Sequence, residues 1–515
     1  MRTDRGTLRP GPAGDGGYRR LEPGPAEPSV VRTDLGSGPP GGEPLLTIAH
    51  LSDLHVCDAQ SPARVECLDR WADPDSPLRP AVTEVGTYRA QELLTTQVAD
   101  ATVRSINALP GIDVALVTGD ATDNAQANEL GWYLALLEGG AVRPDSGDLQ
   151  RWEGVSDETV ADERFWHPAD PRGDLPRARY GFPEAPGLLD GARRPFQAAG
   201  LDIPWLAVHG NHDRMLQGTL PATGLLDGVS TGSAKPIGVP EHWSEDAVLA
   251  LLLGLERCDP AAIASLAQLR MRRVTADPDR RVISKEAFVA AHFGPAARPV
   301  GHGFAAVQRT SGQAYYRYDH GRVSVLTLDT VNQHGGWQGS LDQPQLAWLQ
   351  TELAAADADR RYAVLASHHP LHTLTNDRAL DGSHRVLAAE LAELLVRHRS
   401  AVLWLNGHTH RTAVTPHGQL WEVTAPSLID WPQQARLVSL LRSGDGSLTI
   451  DATMVDHAGT APWTGSTDSA TALAGLSREL AANDWQWRNH PLEEHPRAGT
   501  PQERNVRLLL PDPWG

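Results

Sequence analysis

The sequence predicts an α/β protein, and three observations carry that expectation. A strand, helix, strand unit runs from residue 45 to 120: the apolar run LLTIAHL, a helix over 86–109 with Leu94, Val98, Ala101 and Leu109 on one stripe and Pro110-Gly111 closing it, then DVALVTGD. Five apolar runs stop abruptly at polar strings: IAHLSDLH at 48–55, VALVTGDATDN at 114–124, LAVHGNHD ending at Asp213, AVLASHHP at 363–370 and VLWLNGHTH at 402–410. Helical stripes then alternate with the later runs, and open α/β sheets place their chemistry where such strands end.

Taken in order, residues 1–44 are rich in Gly, Pro and Arg without an apolar period and are expected to be a disordered or loosely packed arm. Arg19-Arg20 is not followed by an apolar segment, so it is not read as an export signal. Residues 45–455 form the main domain, broken by insertions at about 139–200 and 214–310. The second insertion has helical stretches at 244–257, 260–271 with Asp259 as N-cap and Pro260 first, and 284–293; a cap beside the site is expected.

AYYRYDHGRVSVLTLDT gives two strands turning at His320 and Gly321. DQPQLAWLQTEL follows, with Asp342 and Gln345 as a capping box and Leu346, Leu349 and Leu353 as the stripe. A strand at 363–367, a helix at 384–398, strands at 402–406 and 420–424, and a hairpin pivoting on Gly444 to Gly446 complete the sheets. The tail, 456–515, has one helix near 468–482 and is given a packing role only.

The chain has 515 residues, 40% hydrophobic and 21% charged, an ordinary globular composition that exceeds the usual size of one core. A formal net charge of -18 disfavours a nucleic-acid partner held through phosphate contacts. The strongest apolar stretch, AVLALLLGL at 247–255, falls short of the roughly 18 residues a membrane helix needs. Cys57, Cys67 and Cys258 are read as free thiols in preference to a Cys57–Cys67 bridge, which fits a reducing compartment.

Asp53 and His55 lie two apart past a strand, a spacing at which alternate side chains point the same way. Asp120 follows Gly119, Asn211 and His212 follow Gly210, His368 and His369 precede Pro370, and His408 and His410 flank Thr409. Singly, each reads as well as a turn residue, an N-cap or a hydrogen-bonded core histidine. Together, Asp53, His55, Asp120, Asn211, His368, His408 and His410 are a ligand set of oxygen and imidazole without thiolate. Seven ligands exceed one tetrahedral zinc but suit two cations sharing a carboxylate, a pair that activates a water for in-line displacement.

In order and type, DLH, GDATDN, GNHD, SHHP and GHTH resemble the signature of the calcineurin-like metallophosphoesterase superfamily, over residues 45 to about 455. The resemblance implies a four-layer α/β sandwich, two mixed sheets flanked by helices, with inserted cap segments. It implies one metal on Asp53, His55, Asp120 and His410, and another on Asp120, Asn211, His368 and His408. His212 would face the substrate and protonate the leaving group or stabilise the phosphoryl oxygens, with Asp123 orienting it. His369 receives no role. Asp430 and Trp431 are candidates for a pocket edge but are read as packing residues.

The implied activity is hydrolysis of phosphate esters by in-line attack of a metal-bridging hydroxide. Phosphodiesters, cyclic nucleotides included, are favoured because SHHP and GHTH together resemble the cyclic-nucleotide and purple acid phosphatase side of the superfamily. A phosphomonoesterase is the alternative, and a non-catalytic binding module on the same fold is the second class, against which no ligand position is vacant. The metals are two divalent or trivalent ions, manganese, iron or zinc. The chain is also similar to a long-insert branch whose members commonly carry a twin-arginine signal; a cytoplasmic protein is expected, or an exported one if the start lies upstream. No membrane span is expected, and oligomeric state is not assigned.

Overall fold

The apolar runs become strands buried on both faces and gather into two mixed sheets. The computed structural model describes residues 1–515 except 158, 161, 170–172, 221–227, 489 and 491–493. The first sheet has seven strands, in the order Val30–Arg32, Val506–Pro511, Ser447–Asp456, Gln434–Arg442, Glu43–Leu51, Val114–Val117 and Trp205–Ala207. Its last three strands run parallel. The second sheet has six, in the order Tyr316–His320, Val323–Thr327, Tyr362–Ala366, Ala401–Asn406, Leu420–Thr424 and Ala413–His417, with the middle four parallel.

Alternation along each strand sets the layers. Tyr362, Val364 and Ala366 face the interior between the sheets, whereas Ala363 and Leu365 face outward onto helices Gln343–Ala358 and Ala388–Leu395. Each fully buried Val or Leu there contributes about 1.5–3 kcal/mol. Helices Thr95–Asn107 and Ala470–Ala482 pack on each other and join the first sheet's core through Val98 and Ala474. Helix, sheet, sheet, helix is the four-layer order expected. Because the strands leading to the five polar strings are parallel within each sheet, all five strings emerge at carboxyl ends.

Several expectations need correction. Residues 1–44 are neither disordered nor loose: Thr7–Ala13 and Arg19–Gly24 form a hairpin, Val30–Arg32 is an edge strand of the first sheet, and Thr3, Tyr18 and Leu21 are buried. Their partners lie at the other end of the chain, as in Thr3 Oγ1 to Asn505 Oδ1 at 3.2 Å and Arg504 to Glu27 at 2.8 Å, so no local pattern announces them. The tail does more than pack, since Val506–Pro511 is the second strand of that sheet. Asp342 caps its helix by accepting from Gln345 N at 2.9 Å, but the Gln345 amide turns to Asp329 instead of closing a box.

In the second insertion, helix Glu245–Glu256 is capped by Ser244 and helix Pro260–Ser265 by Asp259, the latter shorter than expected. The three cysteines are free. Among the described residues, no helix is long and apolar enough to cross a membrane.

Candidate metal centre

The strings that end the parallel strands meet at one place. Asp53 and His55 follow strand Glu43–Leu51, Asp120 follows Val114–Val117, Asn211 and His212 follow Trp205–Ala207, His368 follows Tyr362–Ala366, and His408 and His410 follow Ala401–Asn406. Glycines let the loops touch. A Cβ at Gly210 would strike Asp120, and one at Gly407 would strike Ser52 and Asp53. Asp213 ties two strings together, its carboxylate accepting from Thr122 N and Gly210 N, each at 2.9 Å.

Asp53, His55, Asp120 and His410 form one group whose ligand atoms all lie within 4.8 Å of one another. His410 Nε2 is 3.4 Å from Asp53 Oδ1, and His55 Nε2 is 3.6 Å from Asp120 Oδ2. On the other side of Asp120, His368 Nε2 is 3.3 Å from its Oδ2 and 2.8 Å from Asn211 Oδ1, while His408 Nδ1 is 2.9 Å from the same Asn211 oxygen. All seven candidate ligands thus converge, with Asp120 between the two halves.

Five of the seven carry strained backbones. Asp53, His55, Asp120, His408 and His410 have φ between 44° and 66°, and they are five of the twelve non-glycine residues with positive φ among those described. Each such residue costs about 1–3 kcal/mol, a concentration typical of sites held for chemistry rather than stability.

The donor set fits cations. His55 Nδ1 faces Asp123 Oδ1 at 3.0 Å and His410 Nδ1 faces Asp430 Oδ2 at 2.6 Å, so each ring places its proton on Nδ1 and turns the Nε2 lone pair inward. Those two Nε2 atoms are 3.0 Å apart. His368 Nδ1 donates to the Thr118 carbonyl at 2.8 Å, and its Nε2 meets the acceptor Asn211 Oδ1, whose own amide is spent on Gln217 O. Acceptors face acceptors across both gaps, an arrangement that needs a proton or a metal ion in each.

Electrostatics agree. Burial opposes a proton on His368 and His410, but Asp120 for the first, and Asp430 with Asp53 for the second, outweigh it and raise both to about 9. Burial, with His212 nearby, pushes His55 down to about 4. Burial would raise the Asp120 carboxyl, yet His368 and His212 hold it well below the ordinary range.

Asp123 meets His212 chiefly through its main chain. Its carboxylate holds His55 and pairs with Arg64, while its main-chain carbonyl, 3.0 Å from His212 Nδ1, orients His212; the carboxylate is 3.6 Å away. His212 packs edge-on against His55 at 4.3 Å between ring centroids, and its backbone N donates to Asp120 Oδ1 at 2.8 Å. His369, though near His368 and His408, has both nitrogens engaged, Nδ1 with Thr330 Oγ1 at 2.8 Å and Nε2 with the Trp337 carbonyl at 2.9 Å.

Of the outer residues, sequence reasoning named Asp430 as a pocket-edge candidate read as packing, and missed the arginines around it. Asp430 is buried and grips His410 rather than merely packing, and it is itself clamped by Arg89 at 2.6 Å and by Arg497 of the tail at 2.5 Å. Its place beyond strand Leu420–Thr424 is what made it a candidate; nothing local marks Arg64, Arg89 or Arg497. The centre opens into a cavity of about 600 Å³ lined by His212, Asn211, His408 and His410 and by Leu252, Leu253 and Leu255 of the insertion.

No family model and no curated protein matches the sequence. Among solved structures, the chain is similar to a dimetal phosphatase from Danio rerio, at 11% identity and a TM-score of 0.36, over 81% of this chain and 100% of that one. It is similar to purple acid phosphatase PPD1 from yellow lupin, Lupinus luteus, at 11% identity and a TM-score of 0.30, over 87% of this chain and 55% of that one. It is also similar to GAP50, the anchor in the inner membrane complex of Plasmodium, at 12% identity and a TM-score of 0.28, over 82% of this chain and 87% of that one. At those scores the site's own geometry has to carry the functional reading. DLH, GDATDN, GNHD, SHHP and GHTH, ordered along two packed mixed sheets, converge at one edge of this fold.

Proposed function

We propose that the chain is a binuclear metal-dependent phosphoesterase that cuts phosphodiesters. The observation that carries this reading is the pair of inward-facing gaps that share Asp120, each lined by carboxylate or amide oxygens and imidazole nitrogens. Asp53, His55, Asp120 and His410 would hold one ion, and Asp120, Asn211, His368 and His408 the other. Two ions bound there would neutralise charge on phosphoryl oxygens and acidify a water to a nucleophile.

The protein's own groups supply the rest. With Nδ1 donating to the Asp123 carbonyl, His212 keeps Nε2 without a protein partner among the described residues, on the cavity wall where as the imidazolium it would give its Nε2 proton to a leaving oxygen. Asp123 and Asp430 fix the His55 and His410 tautomers, so both rings present a lone pair.

A diester is favoured over a monoester by the cavity's spent cations. Arg64 is paired with Asp123 and Glu92, Arg89 with Asp430, and Arg497 with Asp430 and Glu84, which leaves only Arg411, among the described lining residues, as an arginine without a partner. A monoester dianion asks for more free positive charge than that. The test compares bis-p-nitrophenyl phosphate with p-nitrophenyl phosphate after manganese reconstitution. The diester should be cut faster, and Asp120→Ala or Asn211→Ala should remove most of that activity without unfolding the protein. Parent-level rates in both variants would defeat the assignment.

A further inference from the structure

One ring stands apart from every other aromatic side chain in the chain. All the Phe, Tyr and Trp rings are buried or half-buried except Trp337, which is 39% exposed. It sits beside the metal centre, its ring 5.8 Å from that of His408 with 30° between the planes, and it lines the same cavity.

An exposed indole on a loose loop would mean little, but this loop is pinned on every side. His369 Nε2 donates to the Trp337 carbonyl at 2.9 Å; the Asn376 amide donates to the carbonyls of Gly335 at 2.9 Å and Gln338 at 3.0 Å; Gly336 N donates to Thr219 O at 3.0 Å; and Gly339 N donates to Thr373 O at 3.1 Å. Gly339 packs so closely on His369 that a Cβ there would collide with its ring at 2.6 Å. The loop's hydrogen bonds thus hold the Trp337 ring in a fixed position at the cavity wall.

Helix Glu245–Glu256 of the insertion supplies an apolar wall to the same cavity. Leu252, Leu253 and Leu255 line it, with Leu253 and Leu255 only half-buried, and Glu256 shares a second depression with Gly336, next to Trp337. Ordinary ligand pockets combine a few convergent polar groups with such apolar and aromatic walls.

We propose that Trp337 and the Leu253–Leu255 wall form a subsite for an aryl substituent on the phosphodiester, the arm that stays attached to phosphorus when the other is cut. This rests on the phosphodiesterase reading and specifies its substrate class as esters bearing a flat apolar ring. The rigid indole offers a stacking face, the leucines bury the ring's edge, and His369 is a positioning residue for the platform.

The test uses the full chain reconstituted with manganese and two substrates with one leaving group, bis-p-nitrophenyl phosphate and methyl p-nitrophenyl phosphate. The ratio of their kcat/KM values cancels the leaving-group chemistry. Trp337→Ala should lower that ratio about tenfold, the scale of one stacked and buried ring, and Trp337→Phe should keep most of it. An unchanged ratio, or equal losses on both esters, overturns the subsite. Binding provides a readout free of turnover: by titration calorimetry phenylphosphonate should bind the parent about tenfold more tightly than methylphosphonate, and Trp337→Ala should erase the difference. If the parent cuts neither ester yet makes that distinction, the hydrolase reading fails and the subsite stands; equal affinities for the two phosphonates reject the subsite.

Discussion

Asp430 Oδ2 lies 2.6 Å from His410 Nδ1, and Arg89 and Arg497 hold that carboxylate from either side. A residue of the C-terminal tail therefore reaches the candidate metal centre through one carboxylate. Partners of this kind typically change metal affinity by about 10- to 100-fold. Asp430→Asn should weaken the ion held by Asp53, His55, Asp120 and His410 by about that factor and spare the other, as followed by competition with a chelator while circular dichroism reports the fold. Equal affinities at both sites in the variant would remove Asp430 from the account.

Proton and metal compete for the same gaps. In the metal-free protein His368 and His410 titrate at about 9, above the 6.5 of an unperturbed histidine. Their protons stabilise the fold fully below pH 6.5, and that contribution is lost as the pH rises through about 9. Metal binding must displace them, so affinity should increase up to about pH 9, and loading at pH 7 should release about two protons. Calorimetric titrations in two buffers of different ionisation heat measure the number. No proton release would mean that these two imidazoles are not ligands.

The first half of the chain and the second insertion are joined by a buried charge. Lys235 is fully buried and donates to Glu66 Oε1 and to the Ser61 carbonyl, both at 2.7 Å, and Glu66 is 3.4 Å from Arg64, the partner of Asp123. Removing one member of a buried pair typically costs about 3–5 kcal/mol when the other is left unpaired. Because Arg64 still faces Glu66, Lys235→Met should lose less than that in denaturant unfolding, on the order of 2 kcal/mol, and adding Glu66→Leu should recover part of it. A single variant as stable as the parent would show that the insertion does not depend on this contact.

What could be read from the sequence follows the range of the interactions. Each candidate ligand stands within five residues of the end of an apolar strand, so the local pattern announces both strand and candidate, and the order of the strings is retained along the two sheets. Val30–Arg32 and Val506–Pro511, by contrast, pair with one another across most of the chain, and a Gly- and Pro-rich segment carries no period to reveal such a partner. Arg497 and Trp337 stayed hidden for the same reason. One matters through a carboxylate far upstream, the other because a loop elsewhere holds it out of the core. His369 received no role from the sequence, and only the positions of Thr330 and Trp337 show where its nitrogens go.

The central claim is that two cations share Asp120, and anomalous diffraction from crystals of the full chain grown with manganese tests it directly. The account predicts two peaks, one among Asp53, His55 and His410, the other among Asn211, His368 and His408, about 3.5–4 Å apart with Asp120 touching both. A single peak, or two peaks that Asp120 does not join, would contradict it.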